Sequence, residues 1–200
     1  KQDWSVVYPL SEAPTPGITY VGVGARSKVA SGNLTLAEPT GTAENDILIA
    51  LVTQKDHVAA SMSADWTEIY AVDNAGAYPG STAMRATAWW SRRGVAAASL
   101  VVTRAAGNSG IGVILGFRGC LLSGSPINNS ANMTLTELTT PAGTTITAPV
   151  ILTYRFNCML IAVAHAAIDG TCGLFTSGTP EFDDPVFVEA VDDNTDLGTN

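Results

Sequence analysis

The chain has 200 residues, of which 46% are hydrophobic and 14% are charged, and its formal net charge at pH 7 is −8. This length and composition suit one or two domains with a sizeable core and exclude a disordered tail. The acidic balance argues against a nucleic-acid partner, which needs a basic surface, and no apolar run reaches the roughly 20 residues that a membrane-spanning helix needs.

Residues 1–16 are predicted to form an extended arm rather than a strand. Pro9, Pro14 and Pro16 interrupt any regular backbone pairing there. The arm also carries aromatic and apolar side chains that suit an interface, namely Trp4, Val6, Val7 and Tyr8. We expect these side chains to dock either on a neighbouring subunit or on the chain's own domain.

From residue 17 onward, short segments with the character of β-strands follow one another. In chain order they are residues 18–23, 33–39, 46–53, 66–72, 82–90, 99–105 and 111–119. Turn-forming residues separate them, and only 57–66 offers one or two turns of helix. Residues 46–53 (DILIALVT) are apolar without a break, which is typical of a strand buried on both faces or in a sandwich core. The pattern predicts an all-β fold, an antiparallel β-sandwich of the jelly-roll or Ig-like type.

Two adjacent tryptophans, Trp89 and Trp90, end the segment 82–90. Because side chains alternate along a strand, a regular strand turns one of these rings away from the core. An outward Trp89, with Arg85 on the same face, would suit a subunit interface or stacking on a sugar, and plain packing under a loop is the third alternative. Arg85 and Trp89 are therefore interface candidates.

Two apolar segments of the chain resemble each other. NDILIALV at 45–52 and NCMLIAVA at 157–164 share Asn, Leu, Ile and Ala at matching places. One explanation is an incomplete internal duplication within a sandwich domain at 17–200, with halves at about 17–119 and 150–200. The other is that buried strands followed by polar turns look alike. Under duplication, a partner or further residues of the chain would supply the missing strand.

The sequence contains no recognised catalytic, cofactor-binding or metal-binding pattern. Its histidines are His57 and His165, and its cysteines are Cys120, Cys158 and Cys172. These residues lack the spacing of a zinc site, and a nucleophile elbow of the form G-x-S-x-G does not occur. The acidic stretch 181–196 lacks the Gly and Glu positions of a calcium loop. We therefore predict no enzymatic activity, metal or cofactor.

The order of the motifs along the chain carries a family resemblance. The motifs are NDILIALV (45–52), WTEI (66–69), GSTAMRATAWW (80–90), LVVT (100–103) and GVILGFRG (112–119), followed by PI (126–127) and AP (148–149). This order resembles a β-sandwich module of tailed-bacteriophage virion proteins. Asn45 and Asp46 stand in for the module's usual Gly-Asp, and residues 116–119 stand in for its strand end. The likeness covers roughly residues 40–193.

The resemblance implies a non-enzymatic structural protein on the surface of a tailed phage virion, as a capsid decoration or cement protein. Its partners would be phage capsid or tail proteins, and the chain would be a homo-oligomer or be present in repeated copies. An acidic surface suits basic patches on a capsid partner. The alternatives are a carbohydrate-binding adhesin module of a tail or fibre and, with no recognisable residue set, a depolymerase.

Overall fold

The computed structural model describes residues 17–55, 59–74, 84–95, 99–105 and 109–127, together with Cys158, Met159, Ile161 and Val163. In these ranges the chain forms strands, and no helix long and apolar enough to cross a membrane occurs there. The strands are β1 (Thr19–Val23), β2 (Ser27–Val29), β3 (Leu34–Thr35), β4 (Ile47–Lys55), β5 (Ala60–Ser61), β6 (Thr67–Asn74), β7 (Met84–Arg92), β8 (Val101–Arg104) and β9 (Gly110–Arg118). The predicted arm at 1–16 and nearly all of the second half at 150–200 lie outside the described residues, so the duplication stays a prediction.

The strands form two antiparallel sheets. The larger sheet has the order β1-β9-β4-β7-β6, and β2 pairs with β9 beside the end of β1. The smaller sheet has the order β3-β8-β5. Apolar side chains from both sheets meet in one buried cluster between them. The prediction of an all-β, antiparallel β-sandwich is therefore confirmed.

Strand β4 forms the centre of the larger sheet, because it pairs with β7 on one side and with β9 on the other. We call the face toward the smaller sheet the inner face. On this face Leu48, Ala50 and Val52 of β4 pack with Leu34 of β3 and Val102 of β8. Full burial of a Leu or Val side chain contributes about 1.5–3 kcal/mol, so this cluster is a main source of stability.

The opposite face of the larger sheet, which we call the outer face, is also apolar. Ile47, Ile49, Leu115 and Phe117 are buried there and form a second cluster. A sheet that buries both faces requires strands that are apolar at consecutive positions. The prediction that 46–53 is such a strand is confirmed by β4.

Gly24 allows both β1 and β2 to lie beside β9. It connects the two strands, and its N–H donates to the carbonyl oxygen of Ile114 at 2.8 Å. A Cβ atom at this position would lie 1.8 Å from the carbonyl oxygen of Ala37. Any residue with a side chain would therefore force two backbone segments apart.

Two short strands, β2 and β5, are not predicted by the sequence. They have three and two residues, too few for alternation between two faces to show. Strand β5 falls within 57–66, the segment considered for helical turns. The described part of that segment contains no helix, because Ala60 and Ser61 pair with Arg104 and Thr103 of β8.

Candidate functional site

A cluster of polar side chains lies between the two sheets, at the end of the sandwich where β4 finishes. Strand register places Gln54 of β4 opposite Arg85 of β7, and Arg85 opposite Asp73 of β6. Thr87 lies two residues further along β7, on the same inner face. Arg104 reaches this place from β8 of the smaller sheet. We call these five residues the polar cluster.

Three members of the polar cluster are buried to an extent that polar side chains seldom reach. Gln54, Thr87 and Arg104 are 1%, 0% and 6% exposed. Arg85 and Asp73 lie nearer to solvent, where Nη1 of Arg85 donates to the two carboxylate oxygens of Asp73 at 3.1 and 2.9 Å. A partly exposed ion pair contributes at most about 1 kcal/mol. The pair therefore orients the Arg85 guanidinium more than it stabilises the fold.

Backbone carbonyl groups hold Arg104 in place. Its Nε donates to the carbonyl oxygen of Gly32 at 2.5 Å, and its Nη1 donates to that of Ser109 at 3.1 Å and to Oε1 of Gln54 at 3.5 Å. Gly110 makes room for the guanidinium, because a Cβ atom there would lie 2.5 Å from Nη1. Desolvation lowers the pKa of Arg104, yet an arginine remains protonated at neutral pH. The cluster therefore contains a buried positive charge.

Three groups of the polar cluster have no hydrogen-bond partner among the described residues. They are Nε2 of Gln54, Nε of Arg85 and Oγ1 of Thr87, and all three atoms are buried. An unpaired buried polar group costs about 1–3 kcal/mol. Folded proteins pair the large majority of such groups. Three such groups in one place are unusual for a folded protein.

At the other end of β4, an ion pair joins the two motifs that resemble the phage module. Asp46, which is 3% exposed, accepts hydrogen bonds from Nε and Nη2 of Arg118 at 3.0 and 2.7 Å and from the N–H of Ala43 at 2.8 Å. Burial alone raises the pKa of Asp46. The hydrogen bonds from Arg118 and Ala43, and the charges of Arg118 and Arg93, outweigh this effect and lower the pKa below its ordinary value.

The residue before this aspartate adopts an unusual backbone conformation. Asn45 has a φ of 70°, in the left-handed region that glycine adopts most easily and that Asn tolerates better than most residues. Its N–H donates to the carbonyl oxygen of Arg93 at 2.8 Å, and the Arg93 side chain pairs with Glu38. A glycine would adopt this backbone conformation at least as easily as Asn45 does.

The structure places one predicted site residue, Trp89, in the core. Trp89 is 4% exposed and belongs to the inner cluster, opposite Ala50 of β4. The Trp89 ring therefore packs inside the sandwich and does not face outward, and a role of this residue at an interface stays a prediction. Trp90 packs against the outer cluster. The Trp89 ring is buried and the Trp90 ring is partly buried, because the larger sheet carries an apolar cluster on both faces.

The other predicted interface residues have different outcomes. Arg85 belongs to the polar cluster and pairs with Asp73, so its role at an interface stays a prediction. The arm residues lie outside the described residues, namely Trp4, Val6, Val7 and Tyr8. The sequence did not single out Gln54 or Thr87, because each looks like an ordinary polar position in a strand.

Large apolar side chains are exposed at several places among the described residues, including Tyr20 and Val23 of β1. One group follows β7 and β9 and consists of Val95, Leu121 and Leu122. The Arg92 guanidinium donates to the carbonyl oxygens of Leu121 and Gly124, which fixes this segment beside the end of β7. Another group consists of Met159, Ile161 and Val163. Exposed apolar groups of this kind favour a protein partner when they are contiguous.

Metal-binding and nucleophilic groups are sparse in the described ranges. No group of three or more His, Cys, Asp or Glu side chains placed to hold a metal ion occurs in them. Cys120 packs against the outer cluster, and burial raises the pKa of its thiol. A protonated thiol is a poor nucleophile and a poor metal ligand. His57, His165 and Cys172 lie outside the described residues.

Comparisons with known proteins found no relative. No protein-family model, no curated protein and no solved structure matches the chain. The resemblance to the phage module therefore depends on the motifs themselves. The pairing of Asp46 with Arg118 gives two of those motifs a shared structural role.

Proposed function

We propose that this chain is a non-enzymatic structural protein of a tailed phage particle and that it serves as a capsid decoration protein. The observation that supports the proposal most is the ion pair between Asp46 and Arg118. The two residues are 72 positions apart, and each lies in a motif that resembles the phage module. The pair joins the beginning of β4 to the end of β9, so both motifs serve one structural purpose.

Surface and core features of the described residues also fit this role. The larger sheet buries apolar side chains on both faces, which gives a rigid body for repeated placement on a particle. The formal charge of −8 suits docking on basic patches of a capsid. The exposed side chains of Val95, Leu121 and Leu122 add apolar contact of the kind found at the centre of interfaces.

In the proposed arrangement, the sandwich lies on the particle surface and residues 1–16 dock across neighbouring subunits. An interface of standard size buries about 1,600 Å² in total. Many such interfaces distribute the outward pressure of packaged DNA over the capsid shell. The protein acts mechanically, so no reacting group is required.

The glycan-binding alternative predicts that Trp89 or another exposed aromatic ring contacts the glycan. Because Trp89 is buried in the inner cluster, its ring is not accessible to a sugar. No observation on the described residues favours that function over decoration. A fibre adhesin is therefore not our proposal.

Reconstitution on particles tests the proposed function. Particles of the phage that encodes this chain, prepared without it, are mixed with the full chain and pelleted, and the bound protein is quantified. We expect saturation at a fixed number of copies per capsid, and we expect the exposed-site variant Glu44→Gln to bind like the wild type. Lack of saturable binding by the full chain would contradict decoration.

The role of the arm is tested in the same assay. A chain that lacks residues 1–16 should retain the circular dichroism spectrum of a β-protein but remain in the supernatant. Binding of this shortened chain at wild-type affinity would contradict docking through the arm, while leaving decoration itself in place.

A further inference from the structure

The outer face of the larger sheet is more deeply buried than its own strands can account for. Strand register places apolar side chains of β4, β7 and β9 next to one another on this face. Side chains of similar length shield each other's flanks but leave their tips open, so burial of a whole sheet face requires another layer on top of it. Eight side chains of this face are at most 9% exposed, namely Ile47, Ile49, Met84, Ala86, Ala88, Val113, Leu115 and Phe117. A further layer therefore covers this face.

The described strands do not supply this layer. The smaller sheet packs on the inner face. The partly buried apolar side chains at the outer cluster come from strands of the larger sheet or from positions next to them, namely Ile18, Leu51, Ile69, Trp90 and Cys120. A single copy of the chain already buries the outer face. The covering layer therefore belongs to another part of the same chain.

The covered area reaches β6 but does not extend over β1. Tyr70 of β6 lies opposite Ala88 on the outer face, and burial raises the pKa of Tyr70 to about 12. At the other edge of the sheet, Tyr20 and Val23 of β1 share the same face and are 39% and 37% exposed. The covering layer therefore lies over β9, β4, β7 and β6.

After β9 the chain turns toward the outer face. Cys120, two residues beyond the end of β9, packs against the outer cluster. Arg92, which lies opposite Ile47 on this face, donates to the carbonyl oxygens of Leu121 and Gly124. These contacts fix the segment at the rim of the outer face. The residues that follow it in the chain therefore start beside the surface that requires a cover.

The segment 157–164 (NCMLIAVA) has the composition that such a cover requires. Met159, Ile161 and Val163 are 37%, 36% and 37% exposed. Similar partial exposure at every second residue is typical of an extended segment with one side toward solvent and the other against the protein. Cys158, at the start of the segment, is exposed as well. The segment carries no charged residue, so its second side suits an apolar surface.

We propose that residues 157–164 dock on the outer face of the larger sheet of the same chain. Alternation of side chains directs Leu160 and Ala162 toward the sheet, where they pack on the apolar side chains of β4, β7 and β9. The three partly exposed side chains of the segment remain on the solvent side. The docked segment adds a third layer to the two sheets, and this interface is independent of the protein's role on a particle.

Photo-crosslinking in the full chain tests the proposal. The photoreactive residue p-benzoylphenylalanine replaces Leu51, which lies on the outer face between Ala88 and Val113. After irradiation, mass spectrometry identifies the peptide that is attached to it. We expect crosslinks to residues 157–164 within one chain, and none from a control label at Thr103, an exposed residue of the smaller sheet. Crosslinks that join two chains, or that attach to no residue of 157–164, would overturn the proposal.

A second test avoids the bulky label and uses a matched pair of variants in the full chain. Leu160→Ala shortens a side chain on the docked side, and Met159→Ala shortens one of similar size on the solvent side. We expect Leu160→Ala to lower Tm by at least about 4 °C and Met159→Ala by less than about 2 °C. The loss from Leu160→Ala should be smaller in a Leu51→Ala background, because residues in contact are not additive. Equal Tm values for Leu160→Ala and Met159→Ala, or a loss that is unchanged by Leu51→Ala, would contradict docking on this face.

Discussion

Replacing Asp46 by asparagine removes the charge that joins Asp46 to Arg118 and keeps the size of the side chain. The buried carboxylate accepts three hydrogen bonds, two from Arg118 and one from the backbone of Ala43. An amide has a single acceptor oxygen, so at least one donor loses its partner. A hydrogen bond to a charged group contributes about 1.5–3 kcal/mol. Because half of the Arg118 side chain is exposed and solvent screens it, we expect the free energy of unfolding to fall by only about 2 kcal/mol.

Urea unfolding followed by tryptophan fluorescence measures this loss, which corresponds to a decrease in Tm of about 4–8 °C for a chain of this size. The control Glu44→Gln changes an exposed carboxylate two residues away and should alter stability by less than about 0.5 kcal/mol. In the Asp46→Asn background, Arg118→Gln should have little further effect, because its partner is already lost. Wild-type stability of Asp46→Asn, or additive effects of the two replacements, would refute a structural role for the pair.

Three further predictions concern pH and packing. The pKa of Asp46 in the folded protein lies below its ordinary value of 3.8, so the carboxylate contributes fully to stability above that pH, and this contribution is lost as the pH falls through the lower folded pKa. The difference in the free energy of unfolding between wild type and Asp46→Asn should therefore shrink in acid. A constant difference in urea unfolding at each pH would contradict this. Gly24→Ala should destabilise the protein by about 3 kcal/mol or prevent folding. The control Gly17→Ala, where a Cβ atom meets nothing within 4 Å, should leave stability unchanged in the same assay. Similar Tm values for the two variants would contradict the prediction. Trp89→Ala should lower the free energy of unfolding by about 3–5 kcal/mol because it opens a cavity in the inner cluster, and a loss below about 1 kcal/mol would show that the ring is not in the core.

The central strands of the larger sheet were predictable from the sequence because their apolar side chains recur over a long stretch. Strands β4, β7 and β9 have nine residues each, and all three fall within or overlap predicted segments. Strands β2 and β5 were not predictable, because three or two residues carry no period. Their pairing depends on β9 and β8, which are distant in the chain.

The polar cluster was not predictable from the sequence, because its position depends on strand register. Gln54 and Thr87 occur in strands that also carry partly buried polar residues such as Thr53 and Arg85, and only the alignment of β4 with β7 places both of them inside. The burial of Trp89 was not predictable for a related reason. The sequence indicated that one of the two adjacent tryptophans faces away from the core, but it did not show which one; the register places Trp89 in the inner cluster and Trp90 against the outer cluster.

The composition of purified particles tests the proposed decoration role most directly. On the proposed function, quantitative mass spectrometry of purified phage particles gives the number of copies of this chain relative to the major capsid protein. Decoration predicts hundreds of copies in a fixed ratio to that protein. A handful of copies would instead place the chain in the tail or fibres, and its absence from purified particles would contradict a virion role.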